Sequence, residues 1–166
     1  MPAYQSPLAV VVKGALAGAA GTAAMTAFLQ EAPALMDRLG LGTARPPTPP
    51  AKPSRRRSAT EKVAERATTL TPEESRHAGG ALHWAYGSGW GAYYAVFQST
   101  FRLPSILHGA WLAGLMTFVA VRVLPTVGLA PAPKTRDQLI INGASHAVFG
   151  MTTAVVYSVL NFGRRG

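Results

Sequence analysis

Apolar residues run through this chain in long blocks rather than in the stripes of an amphipathic soluble helix. Between positions 8 and 29 the only charged residue is Lys13, and none occurs over 79–101, 103–121 or 138–163. Each block reaches or approaches the ~20 residues a helix needs to cross ~30 Å of hydrocarbon. A soluble helix of that length shows a charged face; these blocks carry Gly, Ala, Ser and Thr instead. Around the last block, Leu139, Ile140, Ile141, Val148, Phe149, Val155, Val156, Val159 and Leu160 leave hardly any side polar. The pattern predicts an all-α, four-helix transmembrane bundle, with spans at approximately 8–29, 80–101, 105–124 and 139–161. A soluble four-helix bundle is the competing reading, because apolar periodicity alone does not separate the two. The first span is not expected to be a cleaved signal, since Lys13 follows the apolar run over 8–12 rather than preceding it.

The segment over 40–78 is different in kind. It contains Arg45-Pro46-Pro47-Thr48-Pro49-Pro50, Pro53 and Arg55-Arg56-Arg57. Proline at that density favours extended, solvated chain. Ser58 and Glu61 fit a capping box, with Ala59, Val63, Ala67 and Leu70 forming one edge of a short amphipathic helix. Thr71-Pro72-Glu73-Glu74 is a second helix start, with Thr71 as N-cap, and that helix is free to run straight into the second span.

Composition sharpens this reading. Charged residues are 14% of the 166, against roughly 25% in ordinary globular domains. The net charge is +9 and there is no cysteine, which excludes disulfide frameworks and cysteine chemistry. Of the 16 Lys and Arg, twelve fall in the first and third loops, which four spans place on one side. Only Arg102, Arg164, Arg165 and an outward-reaching Lys13 belong to the other. The positive-inside rule then puts the basic, proline-rich loop in the cytoplasm and both termini outside it. Arg55, Arg56 and Arg57 are accordingly expected at anionic lipid headgroups rather than on nucleic acid.

Small residues recur at three- and four-residue steps, with Ala147 between Gly143 and Gly150. Gly14, Gly18 and Gly21 mark one face of the first span, Gly87 and Gly91 the second, and Gly143 and Gly150 the fourth. Such residues let helix backbones approach where lipid supplies no hydrophobic drive between helices. The packing is expected within the bundle, between copies, or against another membrane protein. The intramembrane polar candidates are Glu31, His83 and His146, with His108 at the start of the third span. A polar residue in a span faces the bundle interior as a rule. An interhelical hydrogen bond is the plain reading for each histidine; proton exchange and haem ligation through His83 or His146 are the alternatives. Glu31, two residues before Pro33, is expected to pair with a loop arginine or Arg122, or to line a polar vestibule.

No enzyme signature is present. The chain lacks His-Glu-x-x-His, a phosphate-binding glycine loop and Gly-x-Ser-x-Gly, and no metal or other cofactor is called for. The reading is therefore a multi-pass accessory or binding subunit without activity of its own. A small proton-linked channel or transporter and a haem- or quinone-binding subunit are the alternatives.

Several motifs carry a family likeness: Gly14–Gly21 followed by Glu31-Ala32-Pro33 and Arg45-Pro46-Pro47, then His83-Trp84-Ala85-Tyr86-Gly87. His108-Gly109-Ala110-Trp111, Pro125 with Gly128-Leu129, and Ser145-His146 complete the set. In these the chain resembles the YagU-like family of bacterial inner-membrane proteins, catalogued as a domain of unknown function. The resemblance implies a multi-pass protein of a bacterial plasma membrane and brings no catalytic residue with it. The Arg/Pro loop has no counterpart in that pattern.

Overall fold

The computed structural model describes residues 6–40, 61, 71–101 and 103–162, and the described residues contain helices and no strand. Four long helices follow in order: α1 (Pro7–Arg38), α2 (Pro72–Thr100), α3 (Ser105–Thr126) and α4 (Arg136–Leu160). The fold is the expected all-α one. Arg55–Arg57, the rest of the proline-rich loop and nearly all of the expected amphipathic helix lie outside the described residues.

Local chemistry accounts for the helix ends. Ser6 caps α1 by accepting from the Ala9 N–H, with Pro7 in the first turn. Thr71 and Glu74 close a reciprocal capping box at α2, where the Thr71 N–H donates to Glu74 Oε2 at 2.8 Å. Thr135 caps α4 through the Gln138 N–H. Within α3, residues Val119–Val123 widen into a π turn, in which the Leu124 N–H reaches back to Val119 O. The cause is Pro125, which has no N–H and whose ring crowds the carbonyl four residues back. Gly128, in the left-handed region at φ 71°, then ends the helix: its N–H bonds Pro125 O while that of Leu129 bonds Leu124 O.

Two features differ from expectation. The helix of the first span continues through Pro33 to Arg38, because the proline removes a single backbone bond at an exposed position. Three helices, α1, α3 and α4, are long and apolar enough to cross a membrane. The fourth expected span, within α2, does not join them on that measure. The polar start of α2, together with Ser88, Gln98, Ser99 and Thr100, dilutes its apolar residues.

Packing follows the order α2–α1–α4–α3. The central pair, α1 and α4, each carry one outer helix, while α2 and α3 approach one another chiefly near the Phe101–Pro104 turn. Glycine sets the three interfaces of that order, α2–α1, α1–α4 and α4–α3. A methyl group on Gly14 would lie 2.6 Å from the Gly91 carbonyl oxygen, and one on Gly18 would lie 2.8 Å from the Gly91 Cα. One on Gly21 would lie 2.9 Å from Phe149 O, and one on Gly109 2.9 Å from Gly150 O. Phe149, 1% exposed, fills the junction of three helices, its ring edge against Gly21 of α1 and Gly87 of α2. Gly143 meets nothing within 4 Å, so of the expected packing glycines it alone takes no part in a crossing of the described residues.

Two outcomes are expected from thermal unfolding in detergent. Gly18→Ala should lower stability by ~1–3 kcal/mol, the cost of an overpacked contact, while Gly143→Ala should not destabilise. Phe149→Ala should cost about 3–5 kcal/mol, as for other large buried aromatics.

Candidate functional site

The antiparallel register of α3 on α4 can be read from its contacts. Ser105 meets Ser158, a side chain added at Gly150 would meet Ala113, and Thr117 meets His146. Two polar clusters result, one near each end of the pair.

The first lies toward the π turn. His146 is buried, and its Nδ1 lies 3.4 Å from Thr117 Oγ1. The Thr117 hydroxyl hydrogen is given to Ala113 O at 2.8 Å, so Thr117 receives rather than donates in this pair. One turn earlier on α4, Asn142 Oδ1 is buried without a hydrogen-bond partner among the described residues. Continuing the register places Asn142 opposite Val121, inside the π turn. His83 is half-buried on α2, one turn before the Gly87–Thr22 contact, which puts it level with Thr26 of α1. No hydrogen bond joins His83 to His146 among the described residues. Glu31 is exposed, and no ion pair links it to Arg122, which is also exposed. Of the loop arginines offered as its other partners, Arg38 is exposed and makes no ion pair with Glu31 among the described residues, and those over 41–60 with Arg66 lie outside them.

The second cluster lies where α2 turns into α3. Its centre is His108, 1% exposed. The Gln98 amide is oriented by Leu103, whose carbonyl accepts from Gln98 Nε2 at 3.2 Å. Gln98 Oε1 is therefore the atom presented to His108 Nδ1. A carbonyl oxygen only accepts, so in the neutral ring the proton sits on Nδ1 and Nε2 carries a lone pair. That Nε2 is buried and has no hydrogen-bond partner among the described residues. Tyr94, 2% exposed, shares its hydroxyl hydrogen between Gln98 Oε1 and Ser105 O, at 3.4 and 3.3 Å. Phe97 stands edge-on to the His108 ring with centroids 5.1 Å apart, and Tyr157 stands edge-on to Tyr94 at 5.6 Å. Beyond Tyr157, Lys13 of α1 donates to Asn161 Oδ1 at 3.0 Å, and Asn161 Nδ2 donates to Tyr157 O.

The sequence singled out His83 and His146 over His108, and the structure gives His108 the lowest surface exposure of the three. The signal was the shortness of the α2–α3 connection. A tight turn brings together the polar residues within two helical turns on either side of it, here Tyr94, Gln98, Ser105 and His108. Chemically the cluster offers one unpaired acceptor, held in one tautomer and walled by aromatic rings. No three metal-ligating side chains come together among the described residues.

The fold defines a helical protein with membrane-spanning segments. Searches against protein-family models, curated proteins and solved structures return no match for this chain.

One feature outside both clusters titrates distinctively. The hydrogen bonds from the Thr71 side chain and backbone hold the Glu74 carboxyl below the ordinary glutamate range. A depressed folded pKa means the capping box contributes fully at neutral pH and is lost as pH falls through that lowered value. A carbon-detected NMR titration should find Glu74 below a model glutamate, and Thr71→Ala should move it back up.

Proposed function

We propose that this chain is a four-crossing protein of a bacterial plasma membrane. In this reading it serves as a binding or accessory subunit that packs, through α2, against another membrane protein or a second copy of itself. The observation that carries the reading is the outward face of α2. There, small residues (Ala81, Ala85, Gly89) alternate with the exposed rings of Trp84, Tyr86 and Tyr93. Aromatic residues are enriched at protein interfaces, and small ones admit a neighbouring backbone in lipid. The exposed sides of α1 and α4 differ, presenting Leu16 and Val155 to their surroundings.

α2 lies antiparallel along α1 from the Gly14–Gly91 contact to the Gly87–Thr22 contact, which supports its sharing the depth of α1 in the bilayer. The Lys/Arg asymmetry supports a cytoplasmic 40–78 loop and external termini. The likeness to YagU-like proteins supports a multi-pass protein of a bacterial plasma membrane and supplies no activity. The proton-linked alternative draws less support, because Glu31 is exposed and joined to neither histidine among the described residues.

A photo-crosslinker at Tyr93 in native membranes should give a discrete protein adduct, and one at Leu16 or Val155 should give lipid adducts only. Equal behaviour at all three sites would reject α2 as the interface. Because the chain has no cysteine, Ser6→Cys and Thr71→Cys variants report topology directly. An impermeant maleimide should label the first in intact cells and the second only after permeabilisation.

A further inference from the structure

Charge on the α3–α4 pair is confined to one end. Residues 103–121 and 138–163 contain no charged side chain, whereas 122–140 hold Arg122, Lys134 and Arg136 against one carboxylate, Asp137, a net formal charge of +2. All three cations are exposed, and none makes a hydrogen bond or ion pair through its side chain among the described residues. They stand on fixed backbone. The Lys134 N–H donates to Gln138 Oε1 at 2.8 Å, and Thr135 Oγ1 accepts the Gln138 N–H at 3.2 Å, so a closed turn holds the two residues that flank the cap. Arg122 is set in the π turn, beyond which the Leu129 and Ala130 N–H groups fold back on Leu124 O. The register of Thr117 on His146 puts Arg122 level with Ile141, ~7 Å further along α4 than Arg136. A long arginine side chain rises through such a depth to the membrane surface while its methylenes stay in hydrocarbon.

We propose that this end of the α3–α4 pair binds one anionic phospholipid that carries two phosphates. Charge sets the class. A net charge of +2 is matched by two phosphates and left half unmatched by the single phosphate of an ordinary phospholipid, and basic sites among helices at a membrane surface take such head groups. The forked guanidinium groups of Arg122 and Arg136 suit paired phosphate oxygens. Depth supports a lipid over a free anion. α4 has 25 residues and is ~37 Å long, against ~30 Å of hydrocarbon, so its ends reach the headgroup layer. Between the level of Arg122 and that of Arg136, the exposed side chains of Val123, Leu139 and Ile140 offer acyl chains an apolar surface. This goes beyond the accessory role and does not depend on it, because it uses α3 and α4 as spans and leaves α2 aside. It is also separate from Arg55–Arg57, which belong to another stretch of the chain.

The test is native mass spectrometry of the full-length protein in neutral detergent. Tetraoleoyl cardiolipin, which has two phosphates, is titrated in competition with dioleoyl phosphatidylglycerol and dioleoyl phosphatidylcholine. One saturable cardiolipin adduct is expected, with an affinity about fivefold or more above that of phosphatidylglycerol, the effect of roughly one further cation–phosphate contact near the surface. Each of Arg122→Gln, Lys134→Gln and Arg136→Gln should weaken it about fivefold, and the three together should abolish the preference. The sites are exposed, so the melting temperature should not change with them. Substituting Arg55, Arg56 and Arg57 with Gln should leave the adduct as it was. Equal affinity for cardiolipin and phosphatidylglycerol overturns the proposal, as does undiminished binding in the triple α3–α4 variant. Loss of the adduct in the Arg55–Arg57 variant instead assigns the lipid to the loop and overturns it too. Displacement of cardiolipin by inorganic phosphate at equal concentration would show a site for a free anion and reject the lipid.

Discussion

Close approach of backbones at glycine is the constraint on which the rest of this structure depends. In lipid no hydrophobic drive holds helices together, and packing must supply what water expulsion supplies elsewhere. Here α1 meets α2 through Gly14, Gly18 and Gly91, meets α4 through Gly21, and α4 meets α3 through Gly150 and Gly109. Each contact brings main chain to within the distance that a methyl group would occupy. The gap that remains where three helices converge is the size of one ring, and Phe149 fills it. Positions of the polar groups follow from these crossings, because the glycines set which residues on adjoining helices share a level.

The same constraint explains how so many hydroxyls are tolerated. Thr22, Thr26, Thr117 and Ser158 return their hydrogens to the carbonyl one turn back, at 2.8 to 2.9 Å, and so ask nothing of a neighbouring helix. Histidine and asparagine have no comparable retreat. Their side chains carry both donors and acceptors and need partners across an interface. Among the described residues it is at His108 and Asn142 that buried acceptor atoms remain unmatched, together with Thr153 Oγ1 at the Gly21 contact.

The number of helices and the start of α2 were legible in the sequence, because charge-free blocks and Thr71-Pro72-Glu73-Glu74 are local signals. Most of the packing glycines were legible too, since a four-residue step lies on one helix face whatever it packs against. Gly143 shows the limit of that argument: the spacing marks a face, and the partner decides whether the face is used. The continuation of α1 through Pro33 was not legible, because the cost of a lost backbone bond depends on exposure at that point. Nor was the pairing of helices. The order α2–α1–α4–α3 sets which polar residues meet, and no single helix contains that information. His108 was passed over because its partner, Gln98, belongs to another helix and to a span read mainly for its aromatics.

The spatial order of the helices also bears on how the protein is made. As the chain is synthesised, α1 is followed by a helix that fits directly against it, so the first pair can close while the second half is still being translated. α3 emerges without such a neighbour, since its extended contact is with α4 and not with α2. It must wait in the bilayer for the last helix to arrive. The two hairpins then join through α1 and α4, with Phe149 entering last. Biogenesis would proceed as two halves and one docking step, and the late half is the one that waits on the synthesis of α4.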